Sequence, residues 1–197
     1  MIRAVVGAGG KTSLIKKMAA DFLSEGKSVF VTTSTRMFAE ADTLLTDDAQ
    51  LITDHLNKHK YAMAGIADGI KIKELSRATY DAVCREADEV LIEADGSKHM
   101  PLKFPNETEP VIYDNVDEII VVFGLHSLGM KAAEAVQRLE LAQQCMDIGP
   151  ETVIGPEHIR ELAVKGYLDP LRKKYSDKKI TVYLAGDEIP DELMELL

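Results

Sequence analysis

The stretch Val5-Val6-Gly7-Ala8-Gly9-Gly10-Lys11-Thr12 decides how the rest of the chain is read. An apolar run, Ile2 to Val6, leads into it and reads as a strand. Beyond it, Leu14, Ile15, Met18, Ala19, Phe22 and Leu23 recur at helical spacing, and Gly26 stands where a C-terminal cap belongs. A glycine-rich turn between a strand and a helix winds tightly, so successive backbone N–H groups point inward at phosphate oxygens. The helix that follows adds the positive end of its dipole. The pattern therefore predicts a phosphate loop built from Gly7, Ala8, Gly9, Gly10, Lys11, Thr12 and Ser13. In such a loop Lys11 reaches the terminal phosphates and the Thr12 hydroxyl ligates Mg²⁺. Val5 stands where the full pattern has its first glycine, leaving the short form G-x-G-G-K-T.

Working outward, short apolar runs alternate with helical patterns, which argues for βαβ units and a largely parallel sheet. Ser28 to Thr33 (SVFVTT) is a second strand, and Gln50 to Lys60 holds a helix. YAMAGIADGIKIKEL reads as a hairpin turning at Ala67-Asp68-Gly69, after which Ser76 caps a helix to about Ala87. Glu89–Ala94 (EVLIEA) and Glu118–Phe123 (EIIVVF) are central strands, separated by a proline-punctuated polar stretch from Gly96 to Asp114. Helices from Arg138, Pro156 and Pro190 and a strand Ile180–Leu184 complete the chain. The expectation is α/β: one P-loop NTPase-like domain over residues 1–197, in three layers, with a mostly parallel sheet and a small additional hairpin.

A phosphate loop needs a carboxylate at a neighbouring strand end to organise magnesium. EVLIEADGS supplies Glu93 and Asp95, which alternate with Ala94 and so share one side of the strand end. Lys11, Glu93 and Asp95 are the candidate catalytic residues, with Thr12 and Asp95 on the metal. The second strand ends in Thr32-Thr33-Ser34-Thr35-Arg36, where ligands bind in open α/β sheets, so Thr33 and Arg36 are candidates for the ligand. Arg36 and Arg138 are candidate charge-stabilising arginines. The loop from Asp95 to Pro110 carries Lys98, His99 and Lys103, three donors for an anionic acceptor. His55 and His59 stand at i and i+4 but lack a third ligand, which favours a solvated face; His126 follows EIIVVF.

At 197 residues, 46% hydrophobic and 28% charged, the composition is that of a globular domain. No segment approaches the roughly 20 apolar residues of a membrane helix, and the first residues show no secretion signal, so the expected location is the cytoplasm. A net charge of −10 disfavours nucleic-acid and anionic-membrane partners. Cys84 and Cys145 match no ligand spacing and are expected as buried free thiols.

Taken together, GAGGKTSL, VFVTTSTRM, EADGSKHMPLKFPNETEP and RLELA from Arg138 resemble the YqeC family. The resemblance runs to about residue 170, and its most specific part is EADGSK, Glu93 to Lys98, with PLK and NETEP after it. The short phosphate loop is also similar to that of the Mur-type ligases. The family resemblance implies a P-loop nucleotide fold and a role in selenium cofactor biosynthesis, maturing selenium-dependent molybdenum hydroxylases. A molybdenum hydroxylase or its cofactor intermediate would then be the partner. ATP and GTP stay open as the nucleotide: a guanine-reading segment Asn-Lys-x-Asp is matched only by Asp187 in Leu184-Ala185-Gly186-Asp187. Three functions follow from these residues: an NTPase or nucleotide-dependent transferase, a non-hydrolysing module for a phosphorylated pterin cofactor, and a small-molecule kinase.

Overall fold

Apolar runs of five to seven residues are too short for stable helices, and here they form the inner strands of a largely parallel sheet. The computed structural model describes residues 1–197, which group into two compact units. One comprises Met1–Val5, Thr12–Gly96 and Val111–Asp117. Its chain runs β1 (Ile2–Gly7, whose last two residues belong to the other unit), α1 (Lys11–Ser24), β2 (Val29–Thr33), β3 (Arg36–Phe38) and β4 (Leu44–Leu45). There follow α2 (Ala49–His59), β5 (Tyr61–Asp68), β6 (Lys71–Lys73), α3 (Arg77–Glu86) and β7 (Glu89–Glu93).

The strand order in this unit is β1-β7-β2-β5-β6-β3, with β4 beside β5. Pairing is parallel from β1 through β5, and antiparallel for β6 and β3. The late strand β7 thus intervenes between β1 and β2. Val5 and Thr33 both stand in register with Glu93, so the three strands end at one edge with Glu93 in the middle.

The core gathers Val5, Phe30, Val31, Leu91 and Ile92 of the sheet with Leu14 and Ile15 of α1. Ile52 and Leu56 of α2 and Tyr80 and Val83 of α3 join them, each such side chain contributing about 1.5–3 kcal/mol. Asp48 caps α2 by accepting from the Gln50 and Leu51 N–H groups, and Ser76 caps α3 through the Thr79 N–H.

The hairpin is present, but its turn comes later than the sequence suggests. Asp68 pairs with Lys71, which makes Gly69-Ile70 the two turn residues, and Gly69 supplies the positive φ of 66°. The strand β3 was not expected; Met37 points inward while Arg36 and Phe38 stay exposed. Val111–Asp117 is stitched on at both ends. The Val111 N–H donates to Ala94 O (3.1 Å), and Asp117 exchanges bonds with the backbone of Ile2.

The second unit comprises Val6–Lys11, Ser97–Pro110 and Glu118–Leu197. It adds β8 (Leu102–Lys103), β9 (Glu118–Gly124), α4 (Ala132–Ala135), β10 (Val136–Gln137) and α5 (Leu139–Ala142). After these come α6 (Pro156–Leu162), α7 (Asp169–Lys174) and β11 (Lys179–Ala185). β9 and β11 pair in parallel over their whole length, and the short β8 and β10 pair with each other.

The helix expected from Arg138 is a single turn, Leu139–Ala142, and it starts only after Arg138, which takes a left-handed backbone (φ 61°). The helix from Pro156 continues through a wide-turn π stretch, Ala163–Leu168, into α7. Gly166 in that stretch makes room for Phe104 and Pro105. The last element is a 3-10 turn, Asp191–Leu196. Neither cysteine is paired, and Cys145 is exposed rather than buried. No helix is long and apolar enough to cross a membrane.

Candidate functional site

In the second unit, the glycine-rich turn lies on the backbone of β9. The Ala8 N–H donates to Val122 O at 2.9 Å. A Cβ added to Gly7 (φ 91°) would stand 2.2 Å from Val122 O. One added to Gly9 (φ 75°) would stand 2.4 Å from Pro101 O and 2.6 Å from Gly124 Cα. Both glycines are therefore required twice, by dihedral and by close approach. This corrects the reading of Ala8, whose N–H is committed to the sheet rather than to a ligand.

The donors that remain are at Gly9, Gly10 and the first turn of α1. A helix's first N–H groups have no partner within it, and no side chain accepts from the N–H of Gly9, Gly10, Thr12 or Ser13. Lys11 is buried, and its Nζ folds back to donate to Gly7 O at 2.7 Å.

In the first unit, the Thr12 hydroxyl donates to Glu93 Oε2 at 3.1 Å. Glu93 ends β7 and is buried; Asp95, two residues on, is wholly buried. The carboxylate that meets Thr12 is thus Glu93, whereas the sequence reading paired Thr12 with Asp95 on the metal.

The hydroxyl run beyond β2 divides in a way that sequence alone does not reveal. Thr32 Oγ1 donates to Ala64 O (2.9 Å) and Ser34 Oγ to Val111 O (2.6 Å). Thr33 Oγ1 donates to Glu93 O (2.7 Å) and accepts from the Thr35 N–H (3.0 Å), so the O–H donor of the candidate Thr33 is spent on holding the strand end. Thr35 Oγ1 is shielded from solvent and has no hydrogen-bond partner. A shielded, unbonded hydroxyl costs about 1–3 kcal/mol, so a native structure that keeps one calls for an explanation. The sequence reading placed Thr35 in this run of hydroxyls but singled out Thr33.

The other candidates fall elsewhere. Arg36 is on β3, at the opposite end of the strand order from β1, and pairs with Asp68 at 2.8 Å. Lys103, expected as a donor to an acceptor, is buried, with its Nζ 2.6 Å from Glu109 Oε2. Arg138 NH1 meets the same oxygen at 2.6 Å. Burial opposes ionisation of Glu109, but the bonds from Arg138 and Lys103 outweigh it and hold the carboxyl below its usual range. The loop is therefore anchored over Pro101–Pro110. Lys98 (φ 48°) and His99 (φ 64°) are exposed and left-handed. His126 is exposed just after β9, its ring near Gly124. The His55 and His59 rings lie 4.4 Å apart, and no group of three or more His, Cys, Asp or Glu side chains forms a metal cluster.

Fold and edge together define an open, mostly parallel α/β protein whose glycine-rich turn joins its first strand to its first helix. The chain belongs to the YqeC family: the family described as YqeC protein matches residues 3–140. It is also 34% identical over 163 residues to a protein of Escherichia coli (strain K12) described as "Uncharacterized protein YqeC". That match covers 76% of this chain and 62% of the relative, so the chain spans less than two thirds of the relative's length. No solved structure matches it significantly.

Proposed function

We propose that this chain is a P-loop NTPase-like protein that binds ATP or GTP with Mg²⁺ on Gly7–Ser13. The observation that carries the reading is the uncapped start of α1, set behind Gly9 and Gly10, with the Thr12 hydroxyl on Glu93. Three features fit a magnesium–triphosphate. The unused N–H donors suit phosphate oxygens. The buried Lys11 ammonium, which donates to Gly7 O, carries three N–H donors and suits an anionic oxygen at the turn. Thr12 and Glu93 offer an oxygen pair of the kind a hard cation prefers.

Thr12 and Glu93 would hold the magnesium, which would supply neutralisation of the phosphate charge. Thr12 supplies the metal's hydroxyl ligand, and Glu93 orients the metal's waters. Asp95 positions the attacking nucleophile, and Lys11 stabilises charge on the terminal phosphate. The reaction is hydrolysis or transfer of a phosphoryl or nucleotidyl group. Its place is in selenium cofactor biosynthesis, with a selenium-dependent molybdenum hydroxylase or its cofactor intermediate as the client.

Calorimetric titration of the full chain with ATP and GTP, with and without Mg²⁺, tests the reading. Lys11→Ala should weaken binding by about 1.5–3 kcal/mol, the worth of a charge-assisted contact. Unchanged affinity in a folded Lys11→Ala variant, or no binding of either nucleotide by the parent, would sink it.

A further inference from the structure

We infer that His126 is a further ligand-binding residue of the glycine turn, its imidazole donating to a phosphate oxygen held there. The inference rests on the nucleotide reading above and deepens it. Every residue it uses belongs to the second unit.

The decisive position is Gly124. Its φ of −80° is one that any residue adopts, so its dihedral does not call for glycine. Space does. A Cβ placed there would stand 2.7 Å from His126 Cε1 and 2.8 Å from both Cα and O of Gly9. The imidazole and the turn thus close on one point from two sides, and the gap from His126 Cε1 to Gly9 Cα cannot exceed the sum of those distances. Gly10 agrees with this placement: a Cβ on it would stand 2.7 Å from Ala185 Cβ, and Ala185 pairs with Gly124. Gly9 and Gly10 therefore lie at the carboxyl ends of β9 and β11, the edge where open parallel sheets bind ligands.

His126 reaches this edge with its side chain uncommitted. It is exposed, and it makes no hydrogen bond or ion pair within the protein. His158, by contrast, accepts from the Gly155 N–H, and the rings of His55 and His59 lie together. An imidazole offers at least one N–H donor in either protonation state. A phosphate on the open N–H groups of Gly9 and Gly10 meets that donor across the space that the absent side chain of Gly124 leaves.

The test compares the parent, His126→Ala and Lys11→Ala as full chains, by calorimetry with Mg-ATP, Mg-GTP and inorganic tripolyphosphate. His126→Ala should lose about three- to tenfold in affinity for nucleotide and tripolyphosphate alike, the worth of one hydrogen bond. The exposed ring bonds nothing in the protein, so this variant should melt with the parent in the absence of ligand. In an NMR titration of the parent, the His126 Cε1–H resonance should move as tripolyphosphate binds. His126→Gln identifies that resonance by its absence, so the titration decides the matter even if His126→Ala melts lower. The inference is overturned if folded His126→Ala loses less than about threefold, or if the resonance stays still throughout the titration. Loss confined to the nucleotides also overturns it, because the ring would then meet base or ribose. Weakened binding by Lys11→Ala beside an unaltered His126→Ala defeats this inference alone. Equal binding by Lys11→Ala and the parent, or no binding of either nucleotide, defeats the nucleotide reading and this inference with it.

Discussion

Replacing Glu109 by glutamine tests whether the loop after Asp95 is anchored by charge. A single oxygen, Oε2, meets both Lys103 Nζ and Arg138 NH1 at 2.6 Å. Removing one partner of a buried pair costs about 3–5 kcal/mol, because it leaves a charge uncompensated. Here the Lys103 side chain is 0% exposed, but Glu109 and Arg138 keep 18% and 23%, so solvent screens part of the loss. The expected cost is about 2–3 kcal/mol, a fall in Tm of about 5–10 °C for a chain of this size. The sign with pH follows from the depressed carboxyl. Its stabilisation is complete above the unfolded value of 4.5 and is lost as pH falls through the lower folded value. Calorimetric melting of Glu109→Gln and the parent should therefore show the full gap at neutral pH and a closing gap in strong acid. Lys103→Met with Glu109→Leu should recover part of the loss, since it removes the fully buried ammonium and leaves only the part-exposed Arg138 without its carboxylate. A neutral-pH difference below about 1 °C, or a gap that persists undiminished in acid, would refute the argument.

Gly9→Ala should destabilise by more than about 2 kcal/mol, because its Cβ meets Pro101 O at 2.4 Å with φ at 75°; an unaltered urea midpoint would contradict the close approach. Thr12→Val removes a donor from the buried Glu93 carboxylate and should cost about 1–2 kcal/mol, read by urea unfolding without nucleotide. Cys84 is held protonated by burial, with its pKa pushed up to about 11, while Cys145 is exposed. Brief alkylation at neutral pH followed by mass spectrometry should thus label Cys145 and spare Cys84, and the reverse order would contradict the burial.

Much of the first unit was legible because its signals are local. VFVTT and EVLIE are continuous apolar runs, and in the structure both strands are buried throughout. Ser76 precedes a helical pattern and does cap it. What escaped was decided by long-range pairing. Arg36–Phe38 becomes a strand only because Lys71–Lys73 lies beside it, and Leu102–Lys103 only because Val136–Gln137 does. The helix expected from Arg138 starts only after that residue's left-handed backbone and lasts one turn, and its leucine-rich sequence gives no warning of that. Burial of Lys103 was hidden for the same reason: the glutamate that neutralises it lies six residues away, across a turn that sequence spacing does not specify.

At the candidate site the limit was finer, because residue type indicates chemistry without saying which donors are already used. Glu93 and Asp95 alternate on one strand end and look equivalent in sequence, yet the Thr12 hydroxyl meets Glu93. The four hydroxyls from Thr32 to Thr35 also look alike, and each of three closes a specific carbonyl at the strand end. The same accounting reverses the roles within the glycine turn. Ala8 stands between two glycines and looks in sequence like part of the anion cradle, but its N–H donates to Val122 O of β9. The open donors lie one step later, at Gly9, Gly10 and the start of α1. A backbone N–H already paired in the sheet has no second bond to give a ligand. The donors left for a ligand in this motif therefore lie in its Gly9–Ser13 half, and substitutions at Ala8 should act through the fold before they act through any binding.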